Sequence, residues 1–241
     1  MPWSFARRVG SLSRGVCFGL LSLIATAGAA RAAVVIDAFD SPVPATVISS
    51  GSADASFSES NVANLALGTG RSIFFGVGDG APAGAAVTVT RTDGYLDVAG
   101  VNGARARVLL EYFSVASPLD LSQNTRVSVD LSVLDAQPTT PGGTVLESLL
   151  LVTLNNGATL AAGQIVTQPG PQTLNFLLPA DLGPGDPSPD YTQVQRLRLI
   201  LATPGEGHLR LTNFVAQPIP EPAAVGLLAA GTLLLRRRRA A

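Results

Sequence analysis

The chain has 241 residues, of which 46% are hydrophobic and only 14% charged, with 25 glycines and 17 prolines. That balance fits one medium domain rich in strands and turns and argues against a helical bundle. All sixteen basic residues are arginine, and eight of them lie in the first 32 and last 6 residues, so residues 33–219 hold eight arginines against sixteen carboxylates. This central net charge of −8 argues against nucleic acid as a partner, because phosphate neutralisation needs basic patches.

Residues 1–32 read as a secretory signal peptide. Arg7, Arg8 and Arg14 precede an apolar core at 16–27, and Ala30-Arg31-Ala32 forms an Ala-x-Ala cleavage site. Gly28-Ala29-Ala30 is a rival site, and a retained N-terminal anchor is the alternative reading. Arg7-Arg8 is followed by Val9-Gly10-Ser11, which does not resemble a twin-arginine continuation. The single cysteine, Cys17, falls inside this leader, so the mature body has no disulfide, thiolate metal site or cysteine nucleophile.

The body reads as strands divided by turns. Val34-Val35-Ile36 with Phe39 opens it, residues 41–44 break it, and 53–58 form an edge strand or loop. Residues 71–77 carry Ile73, Phe74 and Phe75. Val87-Thr88-Val89-Thr90 alternates with period two and turns through Asp93-Gly94 into Tyr95-Leu96-Asp97-Val98, a hairpin signal. Asp79-Gly80 also reads as a turn. Residues 105–113 form a long strand, and 126–134 place Val127, Val129, Leu131 and Val133 on one side. Residues 149–154 and 158–166 flank Asn155-Asn156-Gly157, a second hairpin signal. A strand at 173–178 leads into a Pro-rich loop at 182–190. Two last strands follow, 194–201 and 208–215; in the first, Gln195, Leu197, Leu199 and Leu201 alternate with Arg196, Arg198 and Ile200. Roughly ten short strands without a convincing helix predict an all-β, antiparallel β-sandwich. No repeat period is visible, which disfavours propellers and solenoids. The opening Val-Val-Ile-Asp-Ala-Phe-Asp and the closing Leu-Arg-Leu-Thr-Asn-Phe resemble the first and last strands of jelly-roll, carbohydrate-binding-module-like domains. That resemblance implies that the terminal strands pair or lie side by side.

Chemistry is sparse in the body. His208 is the only histidine, and no Gly-x-Ser-x-Gly elbow accompanies it, so a turn-flanking structural role outweighs a catalytic triad. One histidine and no mature cysteine cannot build the usual zinc sites. Glu111 and Glu147 are candidate paired carboxylates for a glycosidase if they lie on neighbouring strands, with solvent-facing acids as the plainer reading. A structural calcium ion is the one cofactor considered. Asp37 and Asp40 at the entry strand and Asp181, Asp186 and Asp190 in the Pro-rich loop are the candidate ligands, although no Asp-x-Asp-x-Asp-Gly loop exists. Sugar stacking needs exposed aromatics. The sole tryptophan, Trp3, is in the leader, which leaves Tyr95, Tyr112, Tyr191 and phenylalanines such as Phe39, Phe57, Phe74, Phe75 and Phe113. Tyr191, after the Pro-rich loop, is the first to inspect.

The C-terminal residues, 217–241, have three parts. Pro220-Glu221-Pro222 stays extended because its prolines fix φ and lack amide protons. Residues 223–235 hold five leucines among alanine and glycine without a charge; as a helix they span about 20 Å against a hydrocarbon core of about 30 Å. Arg236, Arg237, Arg238 and Arg239 follow, able to snorkel and biased to the cytoplasmic side. An amphipathic surface helix or a basic nucleic-acid tail is the alternative, but the arginines form a block and not a stripe. The tripartite order resembles the PEP-CTERM sorting signal of Gram-negative bacteria. The resemblance implies that Pro220, Glu221 and Pro222 are a recognition motif for exosortase, an integral-membrane cysteine transpeptidase-like enzyme, that 223–235 is a transmembrane helix, and that the arginines are its stop. It further implies an exported protein of exopolysaccharide-producing bacteria. The expected partners are signal peptidase, exosortase, the membrane and an exopolysaccharide, and the expected role is structural or adhesive, with a carbohydrate-binding module or an exopolymer hydrolase as rivals.

Overall fold

A computed structural model of the chain describes residues 33–218 apart from 41–44, 51–53, 61, 63–64, 69, 78–80, 115 and 180–187. The leader with Ala30 and Ala32, the tail from 219 onward, the Asp79-Gly80 turn, Asp181 and Asp186 therefore lie outside the described residues. Among the described residues no helix is long and apolar enough to cross a membrane.

Twelve strands are described in chain order. The first six are β1 (Val34–Asp37), β2 (Ala45–Ser50), β3 (Ala55–Ser60), β4 (Gly70–Gly76), β5 (Ala86–Thr92) and β6 (Tyr95–Val101). The rest are β7 (Arg105–Phe113), β8 (Asn124–Ala136), β9 (Leu146–Leu154), β10 (Thr159–Val166), β11 (Gln172–Leu177) and β12 (Val194–Pro218). Most rest on period-two alternation. In β7, for example, Ala106, Val108, Leu110 and Tyr112 are buried while Arg105, Arg107, Leu109, Glu111 and Phe113 face away from the core.

All pairings are antiparallel. Sheet A runs β2-β5-β6-β12-β8-β11, with β1 beside β12 next to β6; sheet B runs β3-β4-β7-β12-β9-β10. The described residues are thus all-β and antiparallel, in keeping with a β-sandwich. Buried side chains of both sheets form one core, in which the Tyr112 ring of sheet B meets the Phe214 ring of sheet A at 5.7 Å between centroids. The terminal strands do pair: Val34 opposes Ala216 and Val35 opposes Val215.

β12 holds the two sheets together. Residues 194–202 lie between β7 and β9 in sheet B, and residues 207–218 pair with β8 in sheet A. The two strands expected at 194–201 and 208–215 are therefore one strand of 25 residues. Pro204-Gly205-Glu206-Gly207 does not end it; the register slips there instead. Buried Thr203 carries the bend, its hydroxyl accepting from the Ala106 amide at 2.9 Å and donating to the Gly205 carbonyl at 2.6 Å. A side chain on Gly207 would lie 2.8 Å from the Ala136 methyl, so this crossing needs glycine.

Three further expectations change. β2 was not anticipated; it is an edge strand that pairs only with β5. In β8, Val127, Val129 and Leu131 point inward, but bulges opposite Arg210–Asn213 shift the phase, so Leu134 is buried in place of Val133. In β12 a bulge between Val194 and Arg196 makes Val194, not Gln195, the buried residue before Leu197.

Candidate functional site

The two outer faces differ. Sheet A presents Thr46, Thr88, Thr90, Asp97, His208 and Arg210 in its middle, with exposed Ile48 and Leu177 on its edge strands β2 and β11. Sheet B presents an apolar row. By register, Phe74 of β4 lies beside Leu109 of β7, Leu109 beside Ile200 of β12, and Ile200 beside Leu149 of β9. Ser56 and Gly163 end the row on the outer strands. These side chains are outside the core, and Phe74 is 40% exposed.

Polar rows flank this stripe. On one side the order is Gly76, Arg107, Ala202, Glu147 and Ile165. On the other it is Ser58, Ser72, Glu111, Arg198 and Leu151. Gly76 and Ala202 are small, which leaves hollows beside Arg107. One, of about 250 Å³, lies between Asp54, Phe74 and Arg107. The next, of about 630 Å³, is lined by Arg105, Arg107, Glu147, Ala202 and Thr139. A third, of about 480 Å³, lies beyond Glu147 over Leu149, Ile200 and Ile165. Arg107 and Glu147 thus separate three adjoining depressions along a line across the sheet. From β3 to β10 the face is roughly 24 Å wide, five strand spacings.

The electrostatics of the face fall into two parts. Glu111 is shared by Arg198 Nε at 2.8 Å and Arg196 Nε at 3.3 Å, and the Arg196 guanidinium stacks 4.6 Å from the Phe113 ring. Arg105 and Arg107 are exposed and make no ion pair or hydrogen bond with the described residues. An apolar floor with hydroxyl, guanidinium and carboxylate groups at its margins has the chemistry to hold a flat, polar-edged ligand by contact and hydrogen bonding.

The candidate catalytic carboxylates are not brought together. Glu111 and Glu147 share this face, but β12 separates their strands, and the register offsets them by four residues. Their backbone positions are roughly 17 Å apart, beyond the ~5–9.5 Å of glycosidase pairs. His208, on the opposite face, has its Nε2 2.8 Å from Asp97 Oδ1, which also accepts from Arg210 Nε at 2.8 Å. Among the described residues no serine hydroxyl is bonded to His208.

Of the candidate calcium ligands, Asp37 is buried and fully engaged. Its Oδ1 accepts from the Phe39 amide at 2.6 Å, and its Oδ2 accepts from Arg71 Nη1 at 2.6 Å and Tyr112 Oη at 2.7 Å. Arg71 Nε reaches Glu59 at 2.6 Å, and Arg91 closes the chain to Glu59 at 2.9 Å. Burial alone would lower the Arg71 guanidinium, but Asp37 and its neighbours outweigh this and raise it. Burial, reinforced by Asp37, pushes the Tyr112 phenol well above its ordinary value. Asp40 contributes its backbone carbonyl to Arg71. Asp190 caps the 3-10 turn at Tyr191–Gln193, and hydrogen bonds from the Thr192 hydroxyl and amide lower its carboxyl. Among the described residues no three His, Cys, Asp or Glu side chains are grouped to hold a metal.

Tyr191 is no sugar platform; it packs against the core and donates to the Pro179 carbonyl at 2.8 Å. Burial raises its phenol to about 12. Of the aromatics, Phe74 and Phe113 reach the sheet B face, while Tyr112, Phe39 and Phe75 are core. Sequence reasoning passed over the apolar row and Arg105 and Arg107. The available signal was a strand apolar in both phases, as in Leu149-Leu150-Leu151, which has a second surface to cover.

No family model matches the chain, and no curated protein is significantly similar to it in sequence. Solved structures match in shape. A family 11 carbohydrate-binding module of a cellulosomal cellulase of Clostridium thermocellum matches over 79% of this chain and 97% of its own, at 11% identity and a TM-score of 0.38. A carbohydrate-binding module specific for non-crystalline cellulose matches over 55% and 78%, at 14% identity and a TM-score of 0.34. An agarase matches over 61% of this chain, which is only 22% of the agarase, at 12% identity and a TM-score of 0.41. At such scores the ligand question rests on this chain's own residues.

Proposed function

We propose that the protein is an exported, non-catalytic binding sandwich whose outer sheet B face takes an extended polysaccharide. The observation that carries this reading is the continuity of one apolar row. Phe74, Leu109, Ile200 and Leu149 lie side by side across four strands of sheet B, flanked by hydroxyl and charged side chains, while on sheet A the most exposed apolar residues, Ile48 and Leu177, stand apart on the two edge strands. A sugar chain has apolar ring faces and hydroxyl edges, the pattern this surface complements. A test is affinity electrophoresis of the full chain against a polysaccharide panel, with a Phe74→Ser/Leu109→Ser variant. Retardation lost in the variant at unchanged melting temperature supports the reading; no retardation by any polymer overturns it.

The delivery half of the proposal rests on sequence. The leader ending at Ala30 or Ala32 supports export, and Pro220, Glu221 and Pro222 before an apolar segment and Arg236 to Arg239 support sorting by exosortase. On this reading the chain is held at the inner membrane by residues 223–235 before processing and then passes to the cell surface or extracellular matrix. An epitope placed after Arg239 is expected to be lost in a host with exosortase. Its retention on unprocessed, unexported protein would refute the sorting step.

A further inference from the structure

Half of the arginines in residues 33–219 stand on one face. Arg105, Arg107, Arg196 and Arg198 lie on the outer side of sheet B, whereas Arg71 and Arg91 join the buried cluster and Arg126 and Arg210 belong to sheet A. Arg196 and Arg198 are held by Glu111. That leaves Arg105 and Arg107, two residues apart on β7 and both lining the depression of about 630 Å³. The nearby acids do not neutralise them. Glu206 opposes Arg105 in register but accepts from the Gly103 amide at 2.7 Å and makes no ion pair with it. Glu147 lies two strands from Arg107 across Ala202, and Asp54 lines the depression on Arg107's far side; neither forms an ion pair with it.

We propose that Arg105 and Arg107 bind the anionic group, carboxylate or sulfate, of an acidic heteropolysaccharide in which charged sugars are separated by neutral ones. The inference rests on the polysaccharide reading above and names the ligand class. Guanidinium forks take carboxylate or sulfate oxygens in pairs, and these two have their donors available. The spacing of charge on the ligand follows from the row itself. Asp54 and Glu147 bracket the arginine pair, so an anion seated between them fits, and anions on the adjoining depressions meet a carboxylate. The net charge of −8 also opposes a densely charged polymer at long range. The same carboxylates break any basic track long enough for a nucleic acid backbone.

The experiment uses the full chain with gellan, in which uronic acid alternates with runs of neutral sugar. Its comparators are carboxyl-reduced gellan, polygalacturonate, a sulfated galactan with sparse sulfate, and a single-stranded oligonucleotide. The expected result is that gellan or the sulfated galactan binds at least about tenfold tighter than carboxyl-reduced gellan. That difference vanishes in Arg105→Gln/Arg107→Gln at unchanged melting temperature, is partly kept in Arg105→Lys/Arg107→Lys, and shrinks as salt rises. Whichever acidic polymer binds identifies the anion. Equal binding of gellan, its reduced form and the sulfated galactan overturns the inference and leaves the polysaccharide face standing. Tighter binding of polygalacturonate or of the oligonucleotide overturns the sparse-charge ligand. No binding of any polymer overturns both readings.

Discussion

Asp37 Oδ2 and Arg71 Nη1 lie 2.6 Å apart with both side chains inaccessible to solvent, 34 residues apart in sequence. Their bond ties β1, the first strand, to β4 in the other sheet. Desolvating two charges is expensive, and loss of one partner strands the other in the core. Arg71→Met is expected to lower unfolding free energy by about 3–5 kcal/mol in urea titration. Asp37→Asn alone should also cost stability, and the double variant should cost less than the two singles together. Additive losses would show that the two side chains are not energetically coupled.

Alkaline pH should destabilise the fold. Tyr112 and Tyr191 both have phenols raised by burial. A raised phenol favours folding fully below its unfolded value of about 10, and that contribution is lost as pH climbs through the folded value. For Tyr191 the window runs from about 10 to about 12; for Tyr112 it opens at the same point, and burial raises its upper end as well. Ultraviolet absorbance and circular dichroism followed together should show delayed phenolate formation. Tyr191→Phe should remove the step near 12; a step that persists would refute the assignment.

Gly207→Ala should destabilise by about 1–3 kcal/mol through overpacking, since the new methyl meets Ala136 Cβ at 2.8 Å and Thr203 Cγ2 at 2.9 Å. Ala136→Gly in the same chain should return part of the loss in thermal melts. If the double variant is no better than the single, the crowding lies elsewhere.

Glu111 and Glu147 are expected to contribute no bond cleavage. Incubation of the full chain with any polymer that it retains in the binding test should release no reducing ends, and Glu111→Gln/Glu147→Gln should match it. A reducing-end signal abolished by the double variant would overturn this and revive a hydrolase.

Much of the architecture could be read from residues alone, because alternation and turn chemistry are local. Residues 105–113 emerge as β7, Asp93-Gly94 turns the β5–β6 hairpin with Gly94 at φ +83°, and Asn155-Asn156-Gly157 joins β9 to β10. β2 escaped because a short Ala-Thr-Val-Ile stretch between Pro44 and Ser49 has weak periodicity. The length of β12 escaped because Pro204, Gly205 and Gly207 signal a turn, and only tertiary packing of Thr203 and Ala136 makes them a bend within a strand. The site was harder still. Asp37 looked like a metal ligand because a sequence cannot show that Arg71 lies beside it. Arg107 and Glu147 acquire meaning only when β12 sets them on either side of Ala202.

The placement of β12 also dictates the order of assembly. It is the last of the described strands to be translated, yet it occupies an interior position in both sheets and pairs with β1, β6, β7, β8 and β9. Until it emerges, β7 and β9 have no common neighbour, β1 has no partner among the described strands, and β8 has only β11. A nascent chain of this design remains open through most of its synthesis and closes late, through distant pairings that are inherently slow. If the chain is exported as proposed, late closure keeps it threadable through a narrow translocation channel.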